Sequence, residues 1–310
     1  MKDYLGPATS HKDLIDALDL WDRAFPATPR DYFEYAFLYD PAVEYRNIHL
    51  LRVEGKLVSS VLVTPRQLYW NGKTVPFGGI ANVSTHPEFL KRGFSTRVLR
   101  KAIETMKAEH MPLSMLFTDI NPFYERVGFQ TLPRQTFVAD FGARPQGDPS
   151  VRVFDFERDF QTVRQIHAEF SLRWNGPLVR DEVRWRSQFR LKKQNTHHFL
   201  VRFAENRPVA YLRGKVEEKT ANVMEFGALD NEAEHLLALS RELAIRSNRQ
   251  KVQLTAPLGA LWKESDACRV EVKIDTSVMF SILDPEFFGT DKVESLFPPE
   301  RTLYWGTDSF

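Results

Sequence analysis

Lys91-Arg92-Gly93 stands between a β-rich stretch that closes at His86-Pro87 and an apolar-periodic stretch that opens at Phe94. Two cations and a glycine at the start of a helix make a seat for an anion. A helix N-terminus leaves backbone N–H groups unpaired and carries partial positive charge. Lys91 and Arg92 add formal charge at that mouth, and Gly93 removes the side chain that would keep a phosphate off the backbone. The chemistry this suits is the holding of a diphosphate. The chain does it without the Gly-x-x-x-x-Gly-Lys run of a P-loop and without Gly-x-Gly-x-x-Gly.

The elements that must position this turn follow from periodicity. Leu14, Leu18, Leu20, Trp21 and Phe25 predict an amphipathic first helix stopped at Pro26, and Asp31 to Leu38 a second. Asn47 to Val53 and Lys56 to Val63 read as two strands around the hairpin signal Glu54-Gly55. Asn71-Gly72 turns into a strand over Val75 to Thr85, which meets the basic turn. Phe94, Val98, Ala102 and Met106 then recur every fourth residue, with Leu99 and Ile103 widening the stripe and Arg97, Arg100, Lys101, Glu104 and Lys107 opposite, so a helix lies on a sheet. Pro112 to Phe117 is the next strand and Asn121 to Arg126 a short helix ended by Gly128. Phe129 starts another strand.

This order, from about Asn47 to Asp140, resembles a GNAT acyltransferase domain, the superfamily that moves acyl groups from coenzyme A to an amine. Two segments carry the resemblance: Val83-Ser-Thr-His-Pro-Glu-Phe-Leu-Lys-Arg-Gly-Phe-Ser95 and Phe123-Tyr-Glu-Arg-Val-Gly-Phe129. Leu90 stands where the family usually has Arg or Gln, and Ser95 where it has Gly or Ala; Ser95 can add a hydroxyl donor. The strand Phe77 to Thr85 has no glutamate of the kind many family members use as a base, and no base is assigned. The resemblance implies that Val83, Ser84 and Thr85 pair with the pantetheine arm through backbone groups. It also implies that Lys91, Arg92, Gly93, Phe94, Ser95 and Thr96 hold the diphosphate and that Asp119 and Ile120 line the facing strand. Tyr124 is then the general acid that protonates the leaving thiolate; the alternative is an aromatic packed beside Phe129. His86, before Pro87, is read as a strand end.

Gly142 to Ser150 is polar and rich in Gly and Pro, and marks a linker between domains at 1–141 and 151–310. Beyond it come a strand at Val151 to Phe156, a helix carrying Phe160, Val163, Ile166, His167 and Phe170, and an aromatic, basic stretch from Trp174 to Lys193. Strands at Phe199 to Phe203, Val209 to Val216 and Asn222 to Leu229 follow, then a helix over Glu232 to Arg246 and a strand at Val252 to Ala256. The order repeats that of the first half and reads as an internal duplication. The second copy lacks the basic turn: Asp230, Glu232 and Glu234 crowd its helix start and repel a diphosphate. The expected fold class is thus α/β (α+β), two tandem GNAT-like domains, each a mixed, mostly antiparallel sheet flanked by helices. A tandem of this kind resembles the Eis-type predicted acetyltransferases, here without their sterol-carrier-like third domain. Some of those proteins use the terminal carboxylate as base. The tail Leu303 to Phe310 reads as one closing strand, and no such role is assigned to Phe310.

Composition bounds what is left. The chain has 310 residues, 43% hydrophobic and 27% charged, the balance of a soluble globular protein. Its formal net charge of +1 supplies too little phosphate neutralisation for a nucleic-acid partner. Cys268 is the one cysteine, which excludes an internal disulfide and a multi-thiolate metal site, so no metal is expected. No signal core and no membrane-length apolar run is present, and a cytoplasmic protein without a membrane partner is expected. Two functions stand open at this level: an N-acyltransferase using acetyl-CoA and a small-molecule or peptide amine, and a catalytically silent acyl-CoA-binding or scaffold protein.

Overall fold

The computed structural model of the chain describes residues 3–142, 146–191 and 197–308. The first half runs β1 (Tyr4–Pro7), α1 (His11–Ala24), α2 (Arg30–Tyr39), β2 (Ile48–Val53), β3 (Lys56–Trp70), β4 (Lys73–Thr85), α3 (Phe94–Ala108), β5 (Leu113–Phe117), α4 (Asn121–Glu125), β6 (Gln130–Thr131) and β7 (Arg134–Asp140). The second runs β8 (Val151–Val153), α5 (Phe156–Ser171), α6 (Glu182–Leu191), β9 (His197–Ala204), β10 (Arg207–Val216), β11 (Ala221–Ala228), α7 (Glu232–Ser247), β12 (Lys251–Leu254), β13 (Arg269–Asp275) and β14 (Val278–Ile282).

Two mixed, seven-stranded sheets result, in the orders β1-β2-β3-β4-β5-β14-β6 and β13-β7-β12-β11-β10-β9-β8. In each, one central pair is parallel, β4 with β5 and β11 with β12, and the others are antiparallel. The expected mixed, mostly antiparallel α/β architecture with flanking helices is what the chain forms.

Helix α3 shows how residues dictate the packing. Val98, Leu99, Ala102 and Met106 are its buried stripe, set against Val58, Val61, Val63 and Leu116 of the sheet. Gly78 on β4 lets the helix approach: a Cβ there would lie 2.1 Å from the Met106 sulfur. On the opposite face of the same sheet, Trp21 and Phe33 of α1 and α2 cover Ile48, Leu50 and Leu62. Leu68, Phe77 and Met115 on that face meet Phe297 and Tyr304 from the end of the chain.

The sheets do not divide where the linker signal divides the sequence. Residues 143–145 of that linker lie outside the described residues, but strands cross it in both directions. β7, ahead of the linker, is an interior strand of the second sheet, between β12 and the edge strand β13. β14, from near the end of the chain, enters the first sheet between β5 and β6. The units 1–141 and 151–310 are therefore stretches of sequence rather than sheets. The tail also differs from the expected closing strand. Leu303, Tyr304 and Trp305 are buried, one bridge joins Thr302 to Asn175, and Gly306–Asp308 is a 3₁₀ turn. Residues 309–310, with the Phe310 carboxylate, lie outside the described residues, as do residues 192–193 of the aromatic, basic stretch.

Buried charge holds the C-terminal segment and, through Asp40, also ties the halves. Arg180 donates from Nη1 and Nη2 to Glu225 at 3.1 and 2.9 Å and from Nε to Asp308 at 2.8 Å, and the Tyr211 hydroxyl donates to Glu225 at 2.8 Å. Thr307 and Arg213 add to the same carboxylate. Nearby, Arg66 of β3 and Arg184 of α6 share Asp40, which ends α2. Burial and the neighbouring Arg184 bring Arg66 down to about 10. Buried ions persist only when paired and hydrogen-bonded, so this network fixes how the C-terminal segment sits between the sheets.

Candidate functional site

β4 and β5 pair at Phe77–Leu113, Gly78–Ser114 and Gly79–Met115. β4 continues to Thr85 beyond the last of these pairs, so the strands diverge. The edge of β4 from Ile80 to Thr85 keeps its main-chain groups free of β5. A bulge sharpens the divergence: Asn82 and Val83 together oppose Val61 of β3, and Asn82 adopts φ 50°. Asparagine tolerates that left-handed conformation, and a bulge bends and re-aims the strand.

Side chains on this stretch are committed inward. The Trp21 indole donates to the Ser60 hydroxyl at 2.9 Å, and Ser60 meets the Ser84 hydroxyl at 2.9 Å. The Ser59 hydroxyl donates to the Ser84 carbonyl and lies 3.0 Å from the Thr85 hydroxyl. What Val83, Ser84 and Thr85 offer a ligand is therefore backbone rather than hydroxyls.

The basic turn follows. His86 ends the strand and caps the short 3₁₀ turn Pro87–Phe89, its Nδ1 accepting from the Glu88 N–H at 3.3 Å. Lys91 and Gly93 both take left-handed conformations, φ 61° and 74°, and Gly93 is the N-cap of α3. No side chain caps this helix and its first turn holds no carboxylate. The N–H groups of Phe94, Ser95 and Thr96 thus open toward solvent with partial positive charge. Lys91 and Arg92 are exposed and make no ion pair with the described residues. The Phe89 and Phe94 rings, 6.2 Å apart, brace the turn, with Arg92 over Phe89 and Arg97 over Phe94. Phe89 and the bulge at Asn82 were not singled out by the sequence; the positional signal for the bulge is an asparagine inside a strand run.

Tyr124 is carried by α4, the helix that follows β5. Asn121 anchors its helix, donating to the Thr131 hydroxyl at 2.7 Å and the Thr276 carbonyl at 2.9 Å, while the Thr118 N–H donates to the Ser277 carbonyl at 2.7 Å. The general-acid candidate is thus positioned by the segment that leads into β14, which sequence reasoning did not connect to it. Tyr124 is 8% exposed, edge-on to Phe123 at 4.8 Å and to Phe129 at 6.1 Å. It borders the same cluster as Val83, Phe94 and Leu99. Among the described residues none hydrogen-bonds its hydroxyl. Burial, with a smaller contribution from the Asp119 carboxylate, pushes it up to about 12. Asp119 and Ile120 are exposed just beyond the end of β5.

The corresponding place in the second half is closed. β11 and β12 pair at Ala221 to Val223 and diverge after it. The gap is filled by the chain's own end: a Cβ on Gly306 would lie 2.5 Å from the Met224 methyl, and Glu225 is held by Arg180 and Thr307. At the start of α7, Glu232 pairs with Arg173 at 2.8 Å and Glu234 with Arg202 at 2.6 Å, so cations that could attract a phosphate are already neutralised. Beside the Phe117 end of β5, on the face away from α3, a cavity of about 180 Å³ is lined by Arg134, Asn222, Gln253 and Tyr304. Among the described residues no cluster of three or more His, Cys, Asp or Glu could hold a metal ion, and no helix is long and apolar enough to cross a membrane.

Comparison with known proteins bears on the domain and the fold. Residues 7–132 match the acetyltransferase (GNAT) domain profile. No curated protein sequence matches the chain. Its fold is similar to that of a GCN5-related N-acetyltransferase from Anabaena variabilis, with a TM-score of 0.72 at 15% identity over 91% of this chain and 73% of that one. Eis1 from Mycobacterium abscessus is similar too, at 0.67 and 16% over 92% and 75%. So is the Saccharomyces cerevisiae N-myristoyltransferase with bound myristoyl-CoA, at 0.57 and 12% over 89% and 79%. The diverging β4–β5 pair and the uncapped α3 thus lie within residues 7–132, the stretch that matches the acetyltransferase (GNAT) domain profile.

Proposed function

We propose that the protein is an acyl-CoA-dependent N-acyltransferase that takes acetyl-CoA as donor and an amine as acceptor. The observation that carries this reading is the pairing of an uncapped, carboxylate-free helix start at Gly93 with a diverging strand edge that leads to a buried phenol. Acetyl-CoA supplies the acyl group as a thioester. Lys91 to Thr96 hold the diphosphate through N–H groups and the two cations. The backbone of Val83, Ser84 and Thr85 runs alongside the pantetheine arm, with Asp119 and Ile120 opposite. The Tyr124 hydroxyl, protonated at neutral pH and unclaimed by any described side chain, donates to the sulfur as it leaves with the thioester electron pair, while the amine nitrogen bonds to the acyl carbon and releases its proton to solvent water, from which the phenolate is reprotonated.

The test is release of free thiol from acetyl-CoA by the purified protein against a panel of amines, peptides and aminoglycosides. Turnover with at least one acceptor is the expected result. Tight acetyl-CoA binding without thiol release for every acceptor would instead leave a silent acyl-CoA binder. Calorimetric titration with coenzyme A is expected to give one site per chain, because the second divergence is filled by residues 303–308 and α7 begins on paired carboxylates. Two equivalent sites would overturn that argument.

A further inference from the structure

Strand β13 forms one edge of the second sheet: among the described residues β7 pairs with it on one side and no strand on the other. Its sequence is Arg269-Val270-Glu271-Val272-Lys273-Ile274-Asp275. An edge strand presents unpaired N–H and C=O groups and is a template for another strand unless something blunts it. Among the described residues no second strand pairs with that edge. Val272 is 39% exposed and Ile274 63%. Arg269, Glu271 and Lys273 are exposed and make no ion pair with the described residues.

The strand is complementary to itself when reversed. Laid antiparallel on a second copy about Val272, it sets Arg269 opposite Asp275, Val270 opposite Ile274, and Glu271 opposite Lys273. Because side chains alternate faces along a strand, Val270, Val272 and Ile274 of both copies fall on one face. The four charged residues fall on the other, each opposite its counter-charge. Directly opposed pairs of this kind stabilise a sheet, and like charges so placed destabilise it. A register shifted by one step along the same face loses the match. We propose that β13 is a self-association surface, and that two copies join there through antiparallel β13–β13 pairing into one sheet that runs through both. The occupant is a second copy of this chain because the charge order complements its own reversal; Asp275, which also holds Arg134 at 2.6 Å, makes the outer pair a shared one and leaves Glu271–Lys273 as the pair that sets the register.

Charge reversal tests this directly. The wild-type protein is expected to show a concentration-dependent dimer by sedimentation velocity, weakened by salt. Glu271→Lys puts lysine against Lys273 of the other copy twice per dimer, and Lys273→Glu puts glutamate against Glu271 twice. Each variant alone is expected to weaken self-association at least about tenfold. Mixing the two restores both attractive pairs, so an equimolar mixture is expected to dimerise as the wild type does, and the Glu271→Lys/Lys273→Glu double variant likewise. A circular-dichroism melt checks that each variant is folded; both sites are exposed, and the mixture uses the same two proteins. A wild-type monomer at high concentration overturns the proposal and leaves the edge to solvent or to a foreign strand. A dimer indifferent to the single reversals, or one that the mixture fails to rescue, places any interface elsewhere.

Discussion

Replacing Gly93 by valine is expected to weaken acetyl-CoA binding by roughly a hundredfold or more while the protein stays folded. Nothing lies within 4 Å of the place a Cβ would occupy, so the substitution meets no steric clash. The cost lies in the backbone. Gly93 sits at φ 74°, where a β-branched residue is strained, and the αL conformation costs an L-residue about 1–2 kcal/mol. In the variant the turn relieves that strain by rotating the substituted residue out of the left-handed region. Doing so re-aims the first N–H groups of α3 and moves Lys91 and Arg92 away from the helix axis. Hydrogen bonds to a charged group contribute about 1.5–3 kcal/mol each, so misplacing two of them weakens binding by roughly a hundredfold or more. The thermal midpoint should fall by only a few degrees, since the strain is local and solvent-exposed. Gly93→Ala, with less strain, should fall between valine and wild type. Titration calorimetry with acetyl-CoA and a melting curve separate the two effects. Normal binding by the valine variant would mean that the diphosphate is held elsewhere.

That Gly93 could be read from sequence at all reflects how local its physics is. A glycine after two cations and before an apolar stripe of period 3.6 specifies a helix start with no reference to the rest of the chain, and α3 begins at Phe94 as the pattern demands. The hairpin turns at Glu54-Gly55 and Asn71-Gly72 are legible for the same reason. Both glycines have positive φ, which their turns require. The acidic start of α7 was equally visible, because Glu232 and Glu234 act on their own first turn.

What escaped the sequence depends on partners far along the chain. Val278 to Ile282 reads as a short apolar run, and nothing local says that it pairs with Phe117 to Leu113, more than a hundred residues upstream. Arg134 to Asp140 has the same ambiguity, resolved only when β12 and β13 fold around it. The tail Leu303-Tyr304-Trp305 looked like a strand because it is apolar, yet its apolar side chains face both halves at once. Leu303 and Trp305 enter the second core, and Tyr304 enters the first. A segment buried on both sides between two sheets need not join either ladder; the Leu303 N–H is satisfied by the Asn175 carbonyl at 2.9 Å. The filling of the second divergence by this tail, and the anchoring of α4 by Thr276, follow from the same long-range closure.

Tyr124→Phe is expected to lower turnover by ~10²–10⁴ while acetyl-CoA affinity stays nearly unchanged. The substitution keeps the ring, and with it the edge contacts to Phe123 and Phe129. It removes only the hydroxyl, which no described residue hydrogen-bonds. Losing a polar atom with no protein partner from a buried site should leave stability level or slightly raised. Burial and Asp119 push this phenol up to about 12, so it keeps its proton across the range in which an amine acceptor becomes neutral. Wild-type turnover should therefore rise with pH as the acceptor loses its proton, and should show no falling limb from this group below about 12. In the phenylalanine variant the rising limb remains and the whole profile drops. If Tyr124 only packs, stability moves modestly and turnover hardly at all. If the protein merely binds acyl-CoA, neither protein releases thiol although both bind acetyl-CoA. Measuring binding, melting and thiol release side by side on the two proteins separates the three cases. Unchanged turnover in the variant would remove the phenol from the reaction and send the search for the proton donor to the other groups around the β4–β5 divergence.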